Sequence, residues 1–307
     1  MIIAMDLIVT IMSNLTGVPL KTSILLHVSA LTLATMMALP TVYAATITAN
    51  SPTGDAFINP SSSNQGQAIG ASGWYYNNVR NGANVGIDTD YARSGNGSAS
   101  FTSPSNGKAD IEFLPGAVSL GGNYASVASL GLLSSLSTMS YDWYRNSSSS
   151  ATATLHPSLR VLLDADGNLE TLTDRGGLVF ERVYNSLATP VDQWVSDTVS
   201  DTTNVWNFGL GLGGTVSIDS NGYAYDSNLL AWKTYFPNAR IIGFSSGVGS
   251  GWGPFDGAVD NIAWTINGIT TTSNFEVAAA AVPEPASLAL MAIAAAGLVS
   301  LRRKKAR

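Results

Sequence analysis

Three short stretches carry the residue types of familiar catalytic or binding loops. Gly243-Phe244-Ser245-Ser246-Gly247 satisfies G-x-S-x-G, the pattern in which a serine on a sharp strand-to-helix turn attacks a carbonyl. That chemistry needs a helix after the serine and an imidazole to take its proton. Here Val248-Gly249-Ser250-Gly251 follows, and His156, directly before Pro157, is the one histidine beyond residue 44. Gly209-Leu210-Gly211-Leu212-Gly213-Gly214 satisfies G-x-G-x-x-G, but Thr215-Val216-Ser217-Ile218 reads as a strand. No helix N-terminus then faces a pyrophosphate, so this segment is expected to be a loop. Asp164-Ala165-Asp166-Gly167-Asn168 offers oxygens like the start of a calcium loop. Its spacing departs from the EF-hand and no glutamate stands at the twelfth position, so a turn is expected.

The remaining inventory narrows the chemistry further. With no cysteine, the chain has no disulfide, thiolate metal site or cysteine nucleophile. One imidazole does not build a two- or three-histidine metal site. Glu112, Glu170, Glu181 and Glu276 are the only glutamates between residues 45 and 282. An acid pair for glycoside hydrolysis stays open, because the separation of two carboxyls is a spatial quantity. No catalytic residue is expected, and the chain is read as a protein that is not an enzyme.

All seven tryptophans lie between those same bounds: Trp74, Trp143, Trp194, Trp206, Trp232, Trp252 and Trp264. Large aromatics dominate sandwich cores, whereas exposed rings offer sugars a stacking face. Trp143 and Trp264 fall in alternating apolar segments and are expected in the core. Trp74 and Trp252 are flanked by glycine and are expected in loops, as candidate glycan contacts.

Elements that could position these residues are short and mostly extended. Alternating segments occur at Ser98–Ser103, Ala109–Leu114, Thr138–Arg145, Ser158–Asp164, Leu178–Tyr184, Ile241–Val248 and Ala258–Ile266, the period of half-buried strands. Asp166-Gly167 predicts a hairpin turn between Ser158–Asp164 and a strand at 168–173. One helix is expected at Asn228–Tyr235, stopped by Pro237, and the Ser147–Ser150 run is expected to be a loop. The pattern predicts an all-β fold: an antiparallel β-sandwich, jelly-roll-like, with one short helix.

The two ends read differently. Lys21, the apolar run Ile24–Leu39 and Val42-Tyr43-Ala44 have the order of a secretory signal peptide over residues 1–44, a signal helix cleaved between Ala44 and Ala45. Translation from Met12 would give a signal of ordinary length. At the other end Pro283-Glu284-Pro285 precedes an uncharged run at 286–301 and a basic end at 302–307. As a helix that run spans roughly 24 Å at about 1.5 Å per residue, enough for a transmembrane segment with snorkelling flanks. The cations belong on the cytoplasmic side. Residues 45–277 form the expected sandwich domain and 278–282 a tether.

Setting aside Asp6 and Glu284, and Lys21 with the five cations of the tail, leaves 19 acidic and nine basic residues in the body. This acidic body without a basic stripe argues against nucleic-acid binding.

The Pro-Glu-Pro, apolar, basic order at 283–307 resembles the PEP-CTERM sorting signal of Gram-negative bacteria. That resemblance implies export through the Sec machinery, recognition of Pro283, Glu284 and Pro285 by an exosortase at the inner membrane, and delivery to the cell surface or extracellular matrix. Within the body, Gly73-Trp74-Tyr75-Tyr76, Val85–Asp88, Arg93–Phe101 and Phe255–Ile262 resemble the opening and closing strands of jelly-roll carbohydrate-binding modules. The resemblance implies contact with exopolysaccharide and a structural Ca2+ for which Asp260 is the first candidate ligand and Asp256 the second; the other reading is that Asp260-Asn261 caps a turn or faces solvent. Three functions follow as expectations: a non-enzymatic surface or matrix protein that binds glycan, a purely structural self-associating matrix protein, or a glycoside hydrolase or lyase on the same sandwich.

Overall fold

The computed structural model describes residues 41–278 apart from 118, 122–125, 127 and 212–224. Residues 1–40 of the expected signal segment, the candidate strand at 215–218, and the tail with Pro283, Glu284, Pro285 and the apolar run lie outside the described residues. Among the described residues, no helix is long and apolar enough to cross a membrane.

Sixteen described strands form two eight-stranded sheets. The first sheet holds β1 (Val42–Thr48), β2 (Phe57–Asn59), β5 (Ala83–Asp88), β6 (Ser98–Ser103), β9 (Leu136–Arg145), β12 (Trp194–Val199), β15 (Phe255–Ile266) and β16 (Ile269–Glu276). The second holds β3 (Gln65–Ala68), β4 (Trp74–Arg80), β7 (Lys108–Phe113), β8 (Gly131–Leu132), β10 (Ser158–Asp164), β11 (Arg175–Phe180), β13 (Trp206–Gly209) and β14 (Arg240–Val248). Alternate residues from both sheets meet in one apolar core, which makes the fold a β-sandwich.

The period-2 rule accounts for the layers. In β10, Leu159, Val161 and Leu163 enter the main core, while Leu162 belongs to a small second cluster with Leu114 and Ile242 on the other face of the sheet. Aromatic rings tie the two sheets together at the centre. The Trp74 ring of β4 lies 5.0 Å from Phe275 of β16 and 6.3 Å from Trp264 of β15. Trp264 in turn stacks on Phe244 of β14 at 4.4 Å.

The expected strands and helix are present, with three differences. β11 stops at Phe180, and Arg182–Asn185 turns into a 3-10 helix. The reason is that the Arg182 N–H donates to His156 Nε2 and its guanidinium pairs with Asp197, which pulls the chain out of the ladder. The hairpin after β10 is longer than expected. Asn168–Thr173 is not a strand, because Asp166 and Asn168 accept N–H bonds from residues two ahead and make local turns instead. The return strand is β11, paired from Asp164↔Arg175 to Leu159↔Phe180. Finally, one pair departs from the antiparallel pattern: β1 runs parallel to β16, in register from Val42↔Thr270 to Thr48↔Glu276. A parallel pair needs a long crossover, and the whole intervening chain supplies it.

The sheet begins three residues before the expected domain start, so Ala44 and Ala45 lie within β1. Both are exposed, and Ile47 is the strand's one buried residue. Cleavage at the expected site, between Ala44 and Ala45, would therefore remove no core burial. The helix, α1 (Leu229–Tyr235), forms where expected: the Asn228 side chain accepts from Ala231 N–H at 2.9 Å as an N-cap. It buries Trp232 against the core.

Candidate functional site

The outward face of the second sheet carries a polar cluster that strand alternation creates. In β7, Ala109 and Ile111 point into the core, so Lys108, Asp110 and Glu112 point away from it. β4 pairs with β7 and brings Asn77 and Asn78 alongside, Asn78 in a left-handed conformation at φ 54° where the register shifts. β10 pairs with β14 and brings Arg160 across. Asp110 accepts from Arg160 Nη1 at 2.6 Å and from Asn78 Nδ2 at 2.9 Å, with Lys108 Nζ at 3.3 Å. Glu112 accepts from Asn77 Nδ2 at 2.6 Å and Asn78 Nδ2 at 3.1 Å. Arg160 also donates to Ser245 Oγ at 3.2 Å.

The two adjacent acids are driven in opposite directions. Burial pushes Asp110 up, but the Arg160 and Lys108 charges outweigh it and hold the carboxyl below its usual range. Burial, and then the charge on Asp110, push Glu112 up to about 7. Between pH 4.5 and 7 the folded protein thus keeps a proton on Glu112 that the unfolded chain has released. This contribution favours the folded state below pH 4.5 and is lost as the pH rises through 7. Unfolding free energy measured against pH should fall by about 1.4 kcal/mol more per pH unit in the wild type than in Glu112→Gln over that window. Parallel curves for the two proteins would mean that Glu112 does not hold the proton.

Beside this cluster opens a cleft of about 280 Å³, lined by Lys108, Arg160 and Glu181 together with Trp206, Phe208 and Trp252. Trp206 and Phe208 come from β13, an edge strand of this sheet among the described residues. Trp252 comes from the loop before β15 and packs edge-on against Phe255 at 5.5 Å. Burial raises the Glu181 carboxyl, against the Arg160 charge and the Trp206 indole, which pull it down. A larger and more open depression of about 420 Å³ lies beside Asp256. Its one aromatic residue, Phe255, is itself buried in the core, so it offers a ligand no ring.

The expected site residues separate on inspection. Trp143 and Trp264 are core residues as expected, and Trp252 lines the cleft half-buried. Trp74 does not: it is 1% exposed, and its indole N–H donates to Ser273 Oγ at 3.1 Å between the sheets. The glycine before it had suggested a loop. Gly73 lies in a bend at φ 80° immediately before β4, which Trp74 itself begins, and a Cβ at Gly73 would sit 2.9 Å from the Phe113 ring. Trp206 was missed as a contact because its neighbours give no loop signal.

Asp256 and Asp260 are not brought together. Both lie on β15, four residues apart, which is about 13 Å at the usual strand rise, too far to share one ion. Asp260 is buried at a bulge next to Asn261, where its carboxylate accepts from the N–H groups of Phe275 at 2.9 Å and Ser94 at 3.2 Å. It pins that bulge, and burial raises it to about 6 against those N–H bonds. Asp256 instead accepts from Tyr91 Oη at 2.8 Å. The loop expected at Ser147–Ser150 is present, with Asp256 N–H donating to Ser149 Oγ at 3.0 Å.

The G-x-S-x-G motif is absorbed by the second sheet, and residues 212–214 of the G-x-G-x-x-G motif lie outside the described residues. Gly243–Gly247 is wholly buried inside β14, with Ser245 accepting from Arg160. His156 stacks on Trp143 at 4.7 Å, accepts from Arg182 N–H at 3.0 Å, and is held down to about 4 by burial. These partners keep the serine and the imidazole on separate networks.

Residues 281–304 match the PEP-CTERM protein-sorting motif. The motif implies an exported protein that is processed by an exosortase. No curated protein matches the chain in sequence. Among solved structures, a family 11 carbohydrate-binding module from Clostridium thermocellum, in complex with a β-1,3-1,4-mixed-linked tetrasaccharide, shares 12% identity. The match covers 67% of this chain and 97% of that one, at a TM-score of 0.35. A native family 12 xyloglucanase from Bacillus licheniformis shares 14% identity over 69% of this chain and 100% of its own, at a TM-score of 0.37. At these identities and scores the likenesses carry no inference about ligand or activity.

Proposed function

We propose that this exported chain is a surface or matrix protein that binds an extracellular polysaccharide in the cleft of the second sheet, without turning it over. The observation that carries the reading is the pairing of Trp206, Phe208 and Trp252 with a rigid charged floor of Lys108, Arg160 and Glu181. Ring faces suit the apolar faces of sugars, and a few fixed polar groups suit their hydroxyls. Asp110 holds Arg160 and Lys108 in place before any ligand arrives, which lowers the ordering cost of binding.

Catalysis is the weaker reading because of where the acids sit. Glu112 has the raised value a general acid needs, but it is fully buried and both its oxygens are capped by asparagine amides. Among the described residues Glu181 is then the one carboxyl lining the cleft, and glycoside hydrolysis ordinarily uses two.

The test is binding of the full chain to exopolysaccharide from the producing bacterium, by calorimetry, with a parallel assay for released reducing ends. Trp206→Ala and Trp252→Ala should each weaken binding by roughly tenfold, the ordinary cost of losing a central aromatic contact. Trp194→Ala, on the opposite sheet, should leave it unchanged. Release of reducing ends that disappears in Glu181→Gln would sink the non-enzymatic reading. Unaltered binding in both cleft variants would sink the assignment of the cleft.

A further inference from the structure

A second cluster of carboxylates lies at the end of β10, outside the cleft. Asp164 closes that strand, Asp174 immediately precedes β11, and Asp166 sits between them in the connecting loop. One oxygen from each lies within 4.8 Å of the other two. Each carboxylate has one oxygen committed. Asp164 Oδ2 accepts from Arg175 Nε at 3.2 Å, Asp174 Oδ2 from the Asp166 N–H at 2.8 Å, and Asp166 Oδ1 from the Asn168 N–H at 2.7 Å.

The other oxygens are the telling ones. Asp164 is 0% exposed, yet its Oδ1 has no hydrogen-bond partner, and the same holds for the buried Oδ1 of Asp174. A buried acceptor without a donor is costly, and native structures rarely leave one so. Here two such oxygens accompany a third acid, so repulsion is added to desolvation. Arg175 balances one of the three charges, and the Arg240 guanidinium is turned to the Gly167 carbonyl instead. Burial, followed by the charge of Asp174, raises the Asp164 carboxyl.

The geometry points to a divalent-cation site of the Ca2+ type, built by Asp164, Asp166 and Asp174 at the mouth of the β10–β11 loop. Ca2+ binds oxygens at about 2.3–2.6 Å, so two ligands of one ion stand no more than about 5 Å apart, which this trio satisfies. The exposed side, at Asp166, leaves room for waters to complete a shell of six to eight. An ion there relieves both orphaned oxygens at once and ties the start of the loop to its end. The site thus clamps the segment that joins two strands of the cleft-bearing sheet. It is independent of the glycan reading, since none of its residues lines the cleft.

The full chain, stripped with EDTA and dialysed, is melted with and without CaCl2. At about a hundredfold excess over Kd, a rise in Tm of roughly 5–10 °C is expected. Asp166→Asn and Asp174→Asn should lose most of it. In EDTA, Asp166→Asn should melt no lower than the wild type, because it removes a repelling charge while keeping the oxygen that Asn168 uses. No rise up to 10-fold above extracellular-type affinities of about 1 mM would overturn the site, as would an equal rise in both variants. An equal rise with MgCl2 would overturn the Ca2+ assignment.

Discussion

Trp74→Ala should destabilise the protein by about 3–5 kcal/mol, the range for truncating a large buried aromatic. The indole is wedged between the two sheets, against Phe113 at 5.7 Å, Phe275 at 5.0 Å and Trp264 at 6.3 Å. Truncation leaves a cavity where the sheets meet, and strands on both sides resist collapse because each is fixed in its own ladder. It also leaves Ser273 Oγ without its indole donor. Trp74→Phe keeps most of the packing, so its loss should be smaller, about 1–2 kcal/mol for the lost hydrogen bond and the reduced volume. Chemical denaturation measures both. Below saturation of the unfolding curve, glycan affinity of the folded fraction should not change. A loss of affinity without a loss of stability would return Trp74 to the surface role that its flanking glycine suggests.

The second large effect is expected at Asp110. This fully buried carboxylate pairs with both Arg160 and Lys108, and it accepts from Asn78 as well. Asp110→Asn preserves shape but takes the carboxylate charge away from a guanidinium that is itself mostly buried. Breaking a buried pair from one side costs about 3–5 kcal/mol. The double replacement Asp110→Leu with Arg160→Met should recover a good part of that loss, since the cost comes from the uncompensated charge. A double variant as unstable as Asp110→Asn alone would show that the ion pair itself, and not the buried excess positive charge, carries the stability. Both proteins should also lose glycan affinity, because Arg160 forms part of the cleft floor.

Local features of the chain were legible where the physics is local. Ser98–Ser103 and Ser158–Asp164 coincide with β6 and β10, because alternation over six or seven residues needs no partner to be recognised. The helix was legible for the same reason: Asn228 caps its start and Pro237 forbids its extension. The short strands β2 and β3, rich in asparagine, glutamine and glycine, had no such pattern. They are extended only because β5 and β4 offer them backbone partners. The 3-10 turn after Phe180 likewise depends on His156 and Asp197, which are distant in sequence.

The candidate site divides along the same line. Its glutamates and tryptophans could be counted from the chain, but their roles could not be sorted. Asp110 and Arg160 are 50 residues apart and meet because β14 lies between their strands and pairs with each. Trp206 and Trp252 converge through an edge strand and a loop. The orphaned oxygens of Asp164 and Asp174 exist only once β10 and β11 have closed over the loop. The sorting motif at residues 281–304 was readable without any of this, since it is a run of consecutive residues. Export is written in consecutive residues. Which rings are buried, which carboxyls are pushed toward holding protons and which buried oxygens lack a donor were decided by strand pairing, because desolvation and charge proximity arise only between segments that folding brings together.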